Sequence, residues 1–209
     1  IGPGLDSLHT AKEGSSRVIT QFLGHIVRGE PIHLVDGGRQ RRCFTDVEDG
    51  IGALMRILLN EDGRANGGIY NIGNPANDLS VKDLAEKMLA LAAERPEYKD
   101  YAAKVTLQVT SAGDYYGQGY QDVDRRVPAI ANTMRDLDWK PQVTMEQALN
   151  RLFDHYRSEL DAARLLKRLS GGSGGSDPCG LLRRSLHGTD ERWVRHDGRS
   201  ESRGSGGIG

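Results

Sequence analysis

The chain has few of the residues that crosslink a protein or give it a strong net charge. Its 209 residues include two cysteines, Cys43 and Cys179, which lie far apart in unlike surroundings, so we expect no disulfide framework. Lys and Arg number 28 against 29 Asp and Glu, and the net charge of -1 argues against a protein that coats nucleic acid or an anionic membrane. No apolar run approaches the roughly 20 residues that span a bilayer. These absences favour a cytoplasmic protein with no nucleic-acid or membrane partner.

Several motifs that carry chemistry are also missing. The histidines show no metal-ligand spacing and no carboxylate pair stands out, so we expect no metal site. No Gly-x-x-Gly-x-x-Gly loop joins a strand to a helix, and no Tyr is followed four residues later by Lys. A chain without these motifs cannot bind a dinucleotide in the usual way, so no cofactor-binding residue is assigned. The sequence begins with Ile1 in IGPGLDSL rather than with Met, which suggests that further sequence precedes it.

Four segments have the periodicity of amphipathic helices. Their start signals are, in order, Ser15, Thr45 with Glu48, Ser80 with Asp83, and Thr144 with Gln147. Gly29 is predicted to end the first helix and Pro96 the third. The predicted apolar face of the second helix consists of Val47, Ile51, Leu54, Met55 and Leu58.

Three short apolar runs have the pattern of strands. PIHLV precedes a turn at DGG, GGIYNIGNP has the apolar centre of a buried strand, and KVTLQVT alternates like a half-buried strand. Helices that alternate with short strands indicate an α/β protein. From residue 170 the chain is rich in Gly, Ser and Arg and poor in large apolar residues. We therefore predict a folded portion over 1–169 and a disordered tail over 170–209.

Two stretches could bind a ligand. In DGGRQRRC, three arginines follow two glycines, an arrangement that suits a phosphate or diphosphate and equally a solvated basic turn. Cys43 ends this stretch, and simple packing explains it better than an activated thiol. In YYGQGYQDVDRR, tyrosine faces, flexible glycines and Arg125 with Arg126 could hold a sugar or base beside an anion, or form a surface loop. The residues alone leave both pairs of alternatives open.

Five stretches together resemble the C-terminal half of an extended short-chain dehydrogenase/reductase of the NAD-dependent epimerase/dehydratase family. They are IGPGLDSL, HLVDGGRQRRCFTDVEDGI, IYNIGNP, YYGQGYQDVDRRVPAI and LDWKP. Within that family the chain is most similar to the UDP-glucuronic acid decarboxylase (dehydrogenase) domains of bifunctional polymyxin resistance proteins. R-x-F-x-x-V-x-D, here Arg42 to Asp49, is common to many nucleotide-sugar epimerases, whereas YYGQGYQDVDRR is more particular to the decarboxylases. The resemblance implies the end of a Rossmann-type sheet plus a smaller substrate-binding α/β lobe.

The resemblance also implies a reaction. In these enzymes NAD oxidises C4 of UDP-glucuronate, the β-keto acid loses its C6 carboxylate as CO2, and protonation gives a UDP-4-keto-pentose for the addition of 4-amino-4-deoxy-arabinose to lipid A. The Gly-rich loop and the Tyr-x-x-x-Lys pair belong to the N-terminal half, upstream of Ile1, so the isolated chain is expected to be inactive. The full-length protein is expected to be a homo-oligomer. The alternatives are a UDP-4-keto-pentose/UDP-xylose synthase, another UDP-sugar epimerase or dehydratase, and a non-catalytic nucleotide-sugar-binding module.

By position in the family, Arg126 matches the proton donor of the decarboxylation and Tyr120 a tyrosine that contacts substrate. The run that matches the segment lining UDP is His33, Leu34, Val35, Asp36, Gly37, Gly38, Arg39, Gln40, Arg41 and Arg42. The run departs from the family where His33 replaces a lysine and where Lys and Arg exchange at Arg39 and Arg41. A carboxylate that leaves beside a developing enolate needs a fixed cation, which a guanidinium supplies. Arg125 is expected to point away from that site.

Overall fold

The computed structural model describes residues 1–4, 6, 8, 17–116 and 123–160. Within these ranges the chain forms seven α-helices and five strands. They are α1 (Val18–Arg28), β1 (Ile32–Val35), β2 (Arg41–Cys43), α2 (Val47–Leu59), β3 (Asp78–Ser80), α3 (Val81–Ala93), α4 (Pro96–Ala102), β4 (Leu107–Thr110), α5 (Ala112–Tyr116), β5 (Arg125–Arg126), α6 (Ala131–Asp136) and α7 (Met145–Tyr156). The α/β class is confirmed. Tyr120 and the predicted tail from residue 170 lie outside the described residues.

The strands form two small sheets. β1 pairs with β4 in parallel, with Leu34 opposite Val109. β2 is the central strand of a second sheet in the order β3-β2-β5, antiparallel to β3 and parallel to β5. Parallel neighbours need long crossover connections, and helices between the paired strands supply them here.

The main core lies between α1, α3, α4 and α7. Leu23, Leu84 and Leu149 are fully buried there, as the helical spacing of the sequence predicts. Tyr98 on α4 packs edge-on against Phe153 with ring centroids 4.9 Å apart, and its hydroxyl donates to the Phe153 carbonyl at 2.7 Å. The sequence prediction misses α4, because Pro96 does not only follow α3 but also begins the next helix at its first position.

The observed helix caps can be compared with the start and stop residues that the sequence predicts. Capping boxes are present at Ser80 and at Thr144, and Gly29 ends α1 in the left-handed conformation, all as predicted. The predicted box at Thr45 is wrong, because Asp46 caps α2 by accepting from the Glu48 amide at 3.0 Å. The Thr45 hydroxyl instead accepts from the backbone amide of Asn74 at 3.2 Å, so Thr45 joins two loops rather than starting a helix.

Apolar residues in several predicted elements are exposed. The predicted apolar face of α2 is largely in solvent, with Ile51 53%, Leu54 52%, Met55 47% and Leu58 75% exposed. The predicted strand GGIYNIGNP is not a strand, since no described strand pairs with it, and Ile69 is 87% exposed. Val109 on β4, predicted to be buried, is 73% exposed. The helical periodicity of α2 and the strand at β4 were predicted correctly, but burial depends on a neighbouring element that the described residues do not supply.

Candidate functional site

The candidate site lies where β2 meets β5. The parallel register places Arg41 opposite Arg125 and Arg42 opposite Arg126. Because side chains alternate across a strand, Arg41 and Arg125 share one face of the sheet, and Arg42 and Arg126 share the other. The Arg41 amide donates to the Asp124 carbonyl at 2.6 Å, and the Arg42 guanidinium donates to the Val123 carbonyl at 2.7 Å. The structure thus brings the end of the first candidate stretch against the end of the second.

On one face, Asp78 lies between two arginines. Its Oδ2 accepts from Arg41 Nε at 3.2 Å and from Arg125 Nε at 3.0 Å, and Arg125 Nη2 lies 2.8 Å away. Arg41 Nη2 also donates to the Asp78 carbonyl at 2.7 Å. Removal from water raises the pKa of the Asp78 carboxyl, but the hydrogen bonds and charges of Arg125 and Arg41 together hold that pKa below its usual range. We call Arg41, Asp78 and Arg125 the arginine clamp.

Cys43 lies on the same face as the arginine clamp, directly across from Asp78. Burial raises the pKa of its thiol, and the negative charge of Asp78 raises it further, against the smaller effects of Arg125 and Arg41. A thiol with a raised pKa is a poor nucleophile, because only the thiolate attacks. The geometry therefore favours the packing interpretation over the activated thiol.

The environment of Cys43 predicts slow alkylation. In a Cys179→Ser variant, where Cys43 is the remaining thiol, iodoacetamide at pH 8 should modify the folded chain several-fold more slowly than the urea-unfolded chain, because less thiolate is present. Mass spectrometry of timed samples measures both rates. A folded chain that reacts as fast as the unfolded chain, or faster, would contradict this expectation.

The predicted UDP-lining run crosses from one sheet to the other. His33 Nδ1 lies 3.2 Å from Thr110 Oγ1 across β1 and β4, and the Leu34 side chain is buried in the main core. Gly37 and Gly38 turn the chain with φ of 76° and 66°, and a Cβ on Gly38 would lie 3.0 Å from the backbone nitrogen of Lys82. Glycine is therefore required at this turn.

Beyond this turn, Arg39 is exposed, and only the end of the run, at Arg41 and Arg42, reaches the strand that carries Arg126. Tyr115 and Tyr116, which the sequence did not place in a helix, end α5. The Tyr115 hydroxyl accepts a hydrogen bond from Gln21 Nε2 at 3.1 Å.

Sequence reasoning missed the role of Asp49 on α2. Its Oδ1 accepts from the backbone amide of Gln142 at 2.8 Å, and its Oδ2 accepts from the backbone amide of Val143 at 3.0 Å. The indole of Trp139 donates to the Asp49 carbonyl at 3.1 Å. The carboxylate of Asp49 therefore holds the two residues after LDWKP on α2, and its backbone carbonyl holds the tryptophan of LDWKP. The V-x-D part of the family motif marks this residue, but nothing in the sequence names its partners.

Two buried asparagines complete this attachment. Asn74 Nδ2 and Asn77 Nδ2 each donate to the Val143 carbonyl at 3.0 Å. Asn77 Oδ1 accepts from the Met145 amide at 2.9 Å, at the start of α7. The asparagines of IYNIGNPAN thus fix the chain that follows LDWKP, a structural function that the sequence pattern did not reveal.

Two clefts lie elsewhere. One of about 680 Å³ and one of about 500 Å³ share Gly52, Arg56 and Asp138 in their linings, and neither lining includes a candidate site residue among the described positions. We give more weight to the β2–β5 site, because these clefts are open and lie beside the uncovered face of α2. Among the described residues, no group of three or more His, Cys, Asp or Glu side chains could hold a metal ion. No helix in these ranges is long and apolar enough to cross a membrane.

Comparisons with known proteins show a partial match to one family and likeness to several solved structures. Residues 1–73 match the NAD dependent epimerase/dehydratase family. The crystal structure of PbgP3 protein from Burkholderia pseudomallei is 57% identical with a TM-score of 0.65, over 78% of this chain and 45% of that chain.

Two further structures share the fold at low identity. UDP-glucuronic acid 4-epimerase from Bacillus cereus, in complex with UDP-glucuronic acid and NAD, is 16% identical with a TM-score of 0.55, over 69% of this chain and 40% of that one. UDP-glucose 4-epimerase from Thermotoga maritima, with UDP-glucose, is 21% identical with a TM-score of 0.55, over 77% and 44%. The chain spans less than half the length of each of the three proteins. It thus has the α/β fold of the NAD-dependent epimerases and dehydratases, and its residues 1–73 match that family in sequence.

Proposed function

We propose that this chain is the substrate-binding, C-terminal part of an NAD-dependent UDP-glucuronate decarboxylase that forms a UDP-4-keto-pentose for lipid A modification. The observation that carries the proposal is the cross-strand pair of Arg42 and Arg126 on one face of the β2–β5 sheet. The likeness to PbgP3 at 57% identity supports a close relationship over the covered residues. The Bacillus cereus epimerase, which holds UDP-glucuronic acid and NAD, supports the substrate class.

The arginine pair suits an anionic sugar. Like charges directly opposite each other on neighbouring strands repel, and anionic groups bound at the two guanidiniums offset this repulsion. Guanidiniums bind carboxylate and phosphate oxygens through two parallel hydrogen bonds, which fixes orientation as well as affinity. Both the C6 carboxylate and the diphosphate of UDP-glucuronate present anionic oxygens that can accept such bonds. We assign the carboxylate to Arg126 and the diphosphate to the His33–Arg42 run.

The chemistry of decarboxylation explains why an arginine is suitable at position 126. In the 4-keto acid, the C5–C6 bond breaks, CO2 leaves, and the electron pair moves toward C5 and the C4 oxygen as an enolate. A guanidinium keeps its charge throughout and stabilises the negative charge at both stages. A guanidinium gives up its proton reluctantly, which makes proton donation to C5 difficult, so the electrostatic role is the one we assign first.

The residues of this chain do not fit the dinucleotide. The sequence contains neither the Gly-rich loop nor the Tyr-x-x-x-Lys pair that hold and use NAD in such enzymes. The chain spans less than half of its longer relatives, and we assign NAD binding to sequence corresponding to their remaining half. The exposed apolar face of α2 and the exposed side chain of Ile69 support this division, because both are the kind of surface that a further layer of structure covers.

The proposal predicts that the 209-residue chain alone releases no CO2 from UDP-glucuronate and NAD. A chimera that places the preceding half of PbgP3 before Ile1 should release CO2 and form the UDP-4-keto-pentose. Labelled CO2 and chromatography of the nucleotide sugars measure both products. Activity of the chain alone would refute the division. A folded chimera that epimerises C4 without losing CO2 would indicate an epimerase, and one that binds UDP-glucuronate without turnover would indicate a binding module.

A further inference from the structure

The strand that carries Arg126 is too short to hold itself in place. β5 consists of Arg125 and Arg126 alone, and a pairing of this length supplies few backbone hydrogen bonds. Side chains must therefore contribute to its register on β2. The Arg42 guanidinium does so at Val123, and the arginine clamp does so on β5 itself, since it joins β5 to β2 and β3 through one carboxylate.

We propose that Asp78 is a positioning residue, which locks β5 onto β2 through Arg125 and Arg41 and thereby fixes Arg126 beside Arg42 on the opposite face. Its catalytic consequence rests on the proposed function of Arg126, whereas its structural consequence does not. Because neighbouring residues of a strand point to opposite faces, holding Arg125 toward Asp78 turns Arg126 away from it. Arg125 is thus a part of the site's support rather than a neutral neighbour.

The environment of Asp78 agrees with this role. Its side chain is 9% exposed, although it carries a charge, and its Oδ1 is buried without a hydrogen-bond partner among the described residues. A buried carboxylate is costly unless cations pair with it, and here two guanidiniums meet at its other oxygen. Arg41 also lies 3.6 Å from the Asp83 carboxylate, which belongs to the capping box of α3. The clamp therefore ties β5 to the start of a core helix.

Hydrogen exchange of the 209-residue chain tests the structural part of the inference. Asp78→Asn and Arg125→Gln should speed exchange of the Arg41 amide, which donates to the Asp124 carbonyl, by about ten-fold, and should leave the amides of α7 unchanged. Arg125→Lys keeps the charge but not the two-pronged contact. The exchange rate of the Arg41 amide in this variant should therefore fall between those of wild type and Arg125→Gln.

Arg135→Gln is the matched control. Arg135 makes an exposed, two-pronged ion pair with Asp136 at 2.6 and 2.8 Å, on a helix separate from the clamp. Its loss should not change exchange at Arg41. Wild-type exchange at Arg41 in both Asp78→Asn and Arg125→Gln would overturn the inference. Equal acceleration of Arg41 and α7 would also overturn it, because Asp78 would then support the whole fold rather than β5.

Kinetics in the PbgP3 chimera test the catalytic part. Asp78→Asn should lower kcat about ten-fold while KM for UDP-glucuronate changes less than two-fold, Asp78→Glu should recover part of that loss, and Arg135→Gln should behave as wild type. A raised KM with an unchanged kcat would overturn the positioning role. If no chimera decarboxylates, the proposed function fails, and the exchange result still decides whether the clamp holds β5.

Discussion

Replacing Arg126 by Ala in the chimera should lower the rate of CO2 release by about 10²- to 10³-fold, the range found when one donor to a developing oxyanion is removed. The guanidinium is the fixed cation that we assign to the departing carboxylate and the enolate, and alanine leaves both uncompensated. Binding of UDP-glucuronate should persist, because the His33–Arg42 run is intact. Rates of labelled CO2 release, with affinity measured by calorimetry, separate the two effects.

Variants at the neighbouring arginines make this prediction specific. Arg126→Lys keeps a charge without the planar fork and should retain part of the activity. Arg125→Ala should cause an intermediate loss rather than none, because Arg125 belongs to the arginine clamp that orients β5. Arg135→Ala should have no effect. Equal losses at Arg125 and Arg126 would show that the site is assigned to the wrong residue.

Local patterns predicted local structure well in this chain. The caps at Ser80 and Thr144 and the left-handed end of α1 at Gly29 depend on residues within one helical turn, and the sequence displays those residues together. At Thr45 two acceptors are adjacent, and the carboxylate of Asp46 rather than the hydroxyl takes the cap. A one-residue error of this kind comes from competition that spacing alone cannot resolve.

Burial and the site itself were harder to predict, because both depend on partners distant in sequence. The apolar periodicity of α2 correctly gives a helix, but exposure of Leu58 shows that amphipathicity does not specify what covers the face. Arg126 and Arg42 were chosen through family resemblance, whereas their adjacency comes from the β2–β5 register. No spacing rule connects Asp78 with Arg125, so the clamp could be found only in three dimensions.

Asp49→Ala should lower the free energy of unfolding by about 3 to 6 kcal/mol, since hydrogen bonds to charged groups contribute about 1.5 to 3 kcal/mol each and two are lost. The amides of Gln142 and Val143 would lose their acceptor, and that of Val143 lies in a buried contact. Asp49→Asn keeps one acceptor oxygen and should cost less. Urea titration of the 209-residue chain measures the change as a lower midpoint with an unchanged slope.

Glu48→Ala is the matched control for Asp49, one position earlier on α2. Its carboxylate is exposed and pairs with Arg151 at 2.6 Å, and surface pairs of this kind contribute about 0 to 1 kcal/mol. Adjacent acids on one helix should therefore differ several-fold in their effect on stability, because one accepts from the backbone of a distant segment and the other pairs with a partly exposed side chain at the surface. Equal effects would mean that the attachment of Gln142 and Val143 to α2 does not stabilise the fold. The family motif would then need a different explanation for its aspartate.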